Sequence, residues 1–116
     1  MNTVTGSAPW GLARVSGASM VPAYYPGDTL LVRYGAPVRP GDPVLARDPR
    51  DPDLVLVKRA VRWQDGGWWL LADNTYAPGD SRQFGAVAPD LILGRVVARL
   101  WSPHRLRARL RLRRPT

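Results

Sequence analysis

Apolar residues in this chain fall into short runs cut by turn-forming residues, and the runs read as strands. Thr29-Leu30-Leu31-Val32-Arg33-Tyr34 follows a Pro26-Gly27-Asp28 triplet, and Val44-Leu45-Ala46-Arg47 follows Pro40-Gly41-Asp42. Proline presets φ for the first central turn position, and glycine takes the positive φ of a type II turn. Asp48 to Asp53 reads as a polar loop with two prolines, and Leu54 to Trp63 is the longest strand candidate. Asp65-Gly66-Gly67 fits a hairpin turn into Trp68-Trp69-Leu70-Leu71-Ala72. Asp73 to Phe84, holding the third triplet Pro78-Gly79-Asp80, reads as loop; Leu91 to Trp101 reads as a strand or strand pair interrupted at Gly94. The body shows no helix beyond one turn at Val21 to Tyr25. Arg105 to Arg111 alternates arginine with Leu106, Ala108 and Leu110, which fits a strand edge, although Leu106 and Leu110 also sit four apart as on a short helix. The tryptophans read as core or cross-strand residues. The expected fold is a mostly β single domain of short antiparallel strands with little helix.

Composition narrows the chemistry. A chain of 116 residues makes one small domain. Its 12 prolines and 11 glycines disfavour long helices. With no cysteine there is no disulfide framework, thiolate metal site or cysteine nucleophile. A single histidine, His104, cannot build a polyhistidine metal site, so neither metal nor cofactor is expected. A Ser-His-Asp triad through His104 is formally open, against the plainer reading of a solvent-exposed tail residue.

The net charge of +8 is localised. Acids and bases balance through Asp90, and every charged residue after it is an arginine. The stretch Arg105 to Arg114 could meet an anionic membrane surface; a solvated, partly disordered end is the plainer alternative. No apolar run approaches the ~20 residues that span a bilayer. The first fourteen residues lack a basic start and an apolar core, so no secretory signal is expected. These features predict a cytoplasmic protein, peripheral at a membrane at most.

Lys58 is the only lysine; every other basic side chain, His104 aside, is arginine. Arginine stays protonated in proteins, whereas a buried lysine can become neutral. Lys58 sits in the apolar run Leu54-Val55-Leu56-Val57-Lys58-Arg59-Ala60-Val61. On a strand Arg59 would face the opposite side, leaving Lys58 facing inward. Lowering an amine from ~10.4 by about 3 units costs roughly 4 kcal/mol. The plainer reading is a snorkelling edge-strand lysine. Ser16-Gly17-Ala18-Ser19-Met20-Val21-Pro22 offers the partner, with Ser19 as candidate nucleophile. Small residues at Gly17 and Ala18 allow close backbone approach. The Ser19 amide is the natural first oxyanion donor, with the Gly17 or Ala18 region able to help. Met20 would pack under the site and Pro22 fix the exit. Together these point to a Ser-Lys dyad, a variant of serine hydrolase chemistry.

A third box, Asp73-Asn74 with Asp80-Ser81-Arg82-Gln83-Phe84-Gly85, completes a pattern. Ser-Gly-Ala-Ser-Met-Val-Pro, Pro-Gly-Asp with an apolar strand, Val-Lys-Arg-Ala-Val and this box occur in the order found in type I signal peptidases and their relatives. That clan includes the self-cleaving LexA-type repressors. The resemblance covers about residues 15 to 100. It implies a mostly β catalytic fold, Ser19 as nucleophile and Lys58 as general base. It also implies an Asp80–Arg82 ion pair bracing the site, with Ser16 and Ser81 in support and Asp73 and Asn74 as scaffold. It divides the chain into an extension (1–14), a catalytic domain (15–102) and an arginine-rich tail (103–116).

The chain departs from the family pattern at three places. Gly17 stands where many bacterial members carry an oxyanion-hole serine, so a backbone donor or Ser16 must serve. Pro78 replaces the serine that orients the lysine, leaving Ser81, Thr75 or a water. No N-terminal membrane anchor is seen. The compact, anchorless form resembles most the maturation proteases of nickel-type superoxide dismutase. That branch implies removal of an N-terminal propeptide from a superoxide dismutase precursor. The alternatives are processing of exported preproteins at a membrane and, outside enzymes, a basic β module binding nucleic acid. The balanced body argues against specific nucleic-acid binding. A LexA-like switch lacks both a preceding DNA-binding domain and an internal cleavage loop.

Overall fold

The computed structural model describes residues 3–5 and 9–106. Seven strands form one antiparallel sheet: β1 (Thr3–Thr5), β2 (Trp10–Arg14), β3 (Thr29–Tyr34), β4 (Pro43–Asp48), β5 (Asp51–Gln64), β6 (Gly67–Leu71) and β7 (Ile92–Trp101). Their spatial order is β1-β2-β3-β7-β4-β5-β6, so the last strand is inserted at the centre. The helical pieces are α1 (Ser81–Phe84), a 3₁₀ turn at Pro89–Leu91, and residues 103–106. The mostly β expectation therefore holds. Among the described residues no helix is long and apolar enough to cross a membrane.

The turn chemistry builds the frame. In Tyr25–Asp28 and Arg39–Asp42 the aspartate N–H donates to the carbonyl three residues back, at 3.0 Å in each. Gly27 and Gly41 take φ of 88° and 96°. The aspartate side chain then accepts the N–H of the first turn residue, at 3.0 Å for Asp28 and 2.8 Å for Asp42. Each triplet is thus a self-capped turn that feeds a strand, β3 or β4. The third triplet acts differently: Asp80 caps α1.

Two apolar clusters lie along the sheet. One gathers Ala13, Val15, Met20, Leu30, Val32, Leu45, Val57 and Val96; the other gathers Val44, Ala46, Ala60, Leu70 and Val87. The first lies beneath the segment that carries Ser19, the second beneath β6 and α1.

Several elements differ from the sequence reading. Trp10–Arg14, read as part of an extension, pairs with β3 throughout its length. β5 starts at Asp51, inside the expected loop, because Asp48 and Arg50 close a tight turn: the Asp48 carboxylate accepts the Arg50 N–H at 2.8 Å and its guanidinium at 2.9 Å. β7 runs unbroken through Gly94, where a Cβ would collide with the Arg33 carbonyl. Residues 103–106 are helical rather than a strand edge, and the remainder of the alternating stretch lies outside the described residues. Trp63 and Trp68 do form a cross-strand, edge-on pair. Trp10 and Trp101 are not core residues; both are exposed, on β2 and β7.

Candidate active site

The chain from Val15 to Asp28 leaves the sheet after β2 and returns to it at β3. Its ends are tied together: the Val15 N–H donates to the Asp28 carbonyl (2.9 Å) and the Gly27 N–H to the Val15 carbonyl (2.7 Å). Met20 is buried and pins the middle of the excursion to the core. Hydrogen bonds from Val21 N–H to the Ala18 carbonyl (3.2 Å) and from Tyr24 N–H to the Met20 carbonyl (2.8 Å) wind residues 18–24 into a tight turn, with a cis Val21–Pro22 bond. Ser16, Gly17 and Ala18 are left exposed, and Ser19 is half-buried.

Lys58 lies on β5 opposite Val44 of β4. It is only 4% exposed, which decides against a snorkelling side chain. Burial pushes its pKa below the ordinary lysine value; the Asp80 charge opposes this and the Arg82 charge assists it. None of the ion pairs among the described residues includes Lys58. Its neighbour Arg59 emerges on the other face and is well bound. Its guanidinium grips Asp73 through two bonds (2.9 and 2.8 Å) and donates to the Gly41 carbonyl (2.8 Å).

The segment from Asp73 to Phe84 closes the site from the side. Asp80 is fully buried. Its carboxylate accepts the Ala72 N–H (3.0 Å), the Arg82 N–H (3.0 Å) and the Arg82 Nε–H (2.9 Å). Burial alone would raise the Asp80 pKa, but these donors outweigh it and hold the carboxyl below its usual range. Arg82 also donates to the Thr75 (2.9 Å) and Ala77 (3.0 Å) carbonyls, so the Asp80–Arg82 pair draws the segment into a fixed shape. The buried Ser81 hydroxyl accepts the Leu70 N–H at 2.8 Å, tying α1 to β6. The same segment reaches back to Ser19: the Asn74 N–H donates to the Ser19 carbonyl (2.8 Å) and its Nδ2 to the Ala18 carbonyl (3.2 Å).

Ser16, Gly17, Ser19, Met20, Lys58 and Pro78 line one cleft of about 210 Å³, together with Val15, Val55, Leu56 and Val57. Thus the two residues of the expected dyad line one cleft although 39 positions separate them in sequence. Ala18 and Pro22 do not line it, and neither do Asp80, Ser81 and Arg82. His104 is elsewhere, stacked on Tyr25 with ring centroids 3.7 Å apart. Sequence reasoning placed Lys58 among the apolar residues of its own strand but missed Val15 as part of the cleft wall and the clamp formed by Asn74. Among the described residues no group of three or more histidine, cysteine or acidic side chains could hold a metal ion.

Comparison with known proteins gives consistent matches. The model of the family described as Peptidase S24-like matches residues 2–97. The chain is 34% identical to the mitochondrial ATP-independent inner membrane protease subunit 1a of Arabidopsis thaliana, over 77% of this chain and 69% of that protein. It is 28% identical to the mitochondrial inner membrane protease subunit 1 of Mus musculus, over 78% and 69% respectively. It is also 28% identical to subunit 2 of that protease from Schizosaccharomyces pombe, over 75% and 62%. These matches overturn the expectation of a cytoplasmic protein: the relatives are inner-membrane protease subunits, which points to a membrane-associated location. They also give no support to a nickel superoxide dismutase precursor as substrate.

Proposed function

From the premise that this chain belongs to the Peptidase S24-like family, we propose that it is a serine endopeptidase with a Ser19–Lys58 dyad, processing precursor proteins at a membrane surface as signal peptidases do. The observation that carries this reading is the burial of the only lysine in the wall of the cleft that also holds Ser19.

The chemistry follows from the geometry. Buried in the cleft wall, Lys58 is neutral more readily than a lysine in water, so its lone pair can accept the Ser19 hydroxyl proton. The Ser19 Oγ attacks the scissile carbonyl, and the carbonyl π pair moves onto oxygen, where backbone N–H groups stabilise it. The Lys58 ammonium then returns its proton to the leaving amine as the C–N bond breaks. Water, deprotonated by the same amine, attacks the acyl-enzyme and frees Ser19. The substrate would bind extended. β6 pairs with β5 only from Arg59 onward, and backbone pairing alongside a strand is how a β domain reads a peptide. The walls formed by Val15, Met20, Leu56 and Val57 suit small apolar side chains.

The pH dependence of peptide cleavage tests this reading. Because the folded-state pKa of Lys58 is depressed and the active form is the neutral amine, kcat/KM rises with pH and levels off once Lys58 is deprotonated, with a midpoint below 10.5. A profile flat across that range, or one rising only at 10.5 or above, would contradict the proposal.

Membrane association has support in the outer face of the sheet. Trp10, Leu12, Val97, Leu100 and Trp101 are exposed large apolar residues on β2 and β7. β2 and β3 add the exposed Arg14 and Arg33, and β2, β3 and β7 carry no acid; Arg99 is turned inward, onto the Ala23 carbonyl and Asp28. Tryptophan, aliphatic side chains and arginine together suit the headgroup region of an anionic bilayer. Residues 107–114 of the arginine-rich stretch lie outside the described residues. Sedimentation with phosphatidylglycerol vesicles is expected, weakening as salt is raised and falling at least about threefold for the double variant Trp10→Ser/Trp101→Ser. Equal sedimentation of wild type and double variant would remove this face from the account.

A further inference from the structure

The peptide planes on either side of Ser19 are held by Asn74. The Asn74 Nδ2 donates to the Ala18 carbonyl at 3.2 Å, and the Asn74 backbone N–H donates to the Ser19 carbonyl at 2.8 Å. The Asn74 Oδ1 is occupied by the Tyr76 N–H at 3.1 Å, which fixes the amide with its NH₂ end towards Ala18. The Ala77 N–H donates to the Asn74 carbonyl at 3.0 Å, so the residue sits in a turn whose other end is drawn in by Arg82.

A trans peptide places its C=O and N–H on opposite sides. The Ala18 carbonyl shares its plane with the Ser19 N–H, and the Ser19 carbonyl shares its plane with the Met20 N–H. Holding both carbonyls on the Asn74 side therefore turns both amides away from it. Among the described residues no backbone acceptor takes the Ser19 N–H, and Ser19 and Met20 line the cleft. With Gly17 where related enzymes carry a serine hydroxyl, stabilisation of the oxyanion falls on such amides.

We infer that Asn74 is a positioning residue that keeps the Ser19 amide aimed at the developing oxyanion, its Nδ2 acting with the Val21 N–H, which donates to the same Ala18 carbonyl at 3.2 Å, to keep the Ala18–Ser19 peptide from flipping. Asn74 touches neither substrate nor the reacting atoms. The inference rests on the reading of Ser19 as nucleophile. A flip would point the Ala18 carbonyl oxygen at the oxyanion and replace attraction by repulsion.

Asn74→Asp isolates the effect. It keeps an oxygen for the Tyr76 N–H and the backbone donor to Ser19, and it replaces only the N–H aimed at Ala18 with a carboxylate oxygen. Asn74→Ala removes both side-chain bonds and tests the same point without added charge. The probes are acetyl-Ala-Ala-Ala-aldehyde, the matching alaninol peptide and acetyl-Ala-Ala-Ala-p-nitroanilide. The Ser19 Oγ adds to the aldehyde carbon while its proton passes to Lys58, leaving an oxyanion that needs the amide; the alaninol forms no such adduct.

Both variants are expected to lose aldehyde affinity by about 10- to 100-fold, with a parallel fall in kcat on the anilide. KM and alaninol affinity stay within about threefold of wild type, since ground-state binding does not use the oxyanion donor. A purely structural role would weaken aldehyde and alaninol alike, and that result overturns the inference. So does retention of full aldehyde affinity in both variants while Ser19→Ala abolishes it. Aldehyde binding unaffected by Ser19→Ala overturns instead the assignment of Ser19 beneath it.

Discussion

Lys58→Met abolishes peptide cleavage and makes the protein more stable. The expected loss in kcat is on the order of 10⁴-fold or more, the scale at which removing the base of a nucleophile–base pair disables such enzymes. The gain in stability follows from linkage. A lysine with a depressed folded-state pKa binds its proton more tightly in the unfolded chain. Stability therefore falls as pH drops from 10.5 towards the folded-state pKa, and below that value the full cost is present. Methionine carries no such cost, and its thioether suits the apolar surroundings of β5. Lys58→Arg is equally inactive, because the guanidinium keeps its proton, and it is less stable than Lys58→Met because a charge is forced into the same place. Thermal denaturation at pH 6 and pH 9, beside a cleavage assay, reads both effects. A Lys58→Met protein that still cleaves peptides, or one less stable than wild type at pH 6, would show that the amine serves the fold rather than the reaction.

Asp80→Ala is expected to cost about 3 kcal/mol of folding stability. The side chain is fully buried, and its removal leaves the Ala72 N–H without its acceptor and α1 without its cap. Arg82 contributes less to the loss, because its side chain is 45% exposed and can turn to water. For a domain of this size the change lowers Tm by roughly 10 °C or more. Asp80→Asn keeps an acceptor for Ala72 and should lose less. The same carboxylate sets part of the acid sensitivity. Its depressed pKa means that its stabilisation is complete above 3.8 and is lost as pH falls through the folded-state value below that. Urea titrations at pH 7 and pH 3 compare wild type with both variants. A loss under about 1 kcal/mol for Asp80→Ala at pH 7 would mean that the bracing described here is ornamental.

The strands with large inward residues were legible in the chain. Leu30 and Val32, and the hairpin joining Trp63 to Trp68, announce themselves because an apolar run follows a turn triplet or ends at a known turn pair. β2 hides because its pattern is inverted. Its buried positions are the small residues Gly11 and Ala13, while Trp10 and Leu12 face outward. Gly11 is small because the Tyr34 ring occupies the place of a side chain. The four-residue α1 is too short to show a helical period, and only the cap at Asp80 betrays it. In the candidate site, Lys58 stands out in the chain by its rarity and Ser19 by its small neighbours, and both line the cleft. The hold of Asn74 on Ala18 was not legible, since it joins a side-chain amide to a backbone carbonyl 56 positions away and leaves no pattern in either stretch.

The presence of one lysine, almost wholly enclosed, has a practical consequence for spectroscopy. Protein grown on ¹⁵N-lysine carries its side-chain label at a single ε-nitrogen, with no crowd of surface ammonium signals to hide it. The chemical shift of that nitrogen, followed against acidity in the unmodified chain, reports the protonation on which peptide attack would depend, without an inhibitor or any substitution.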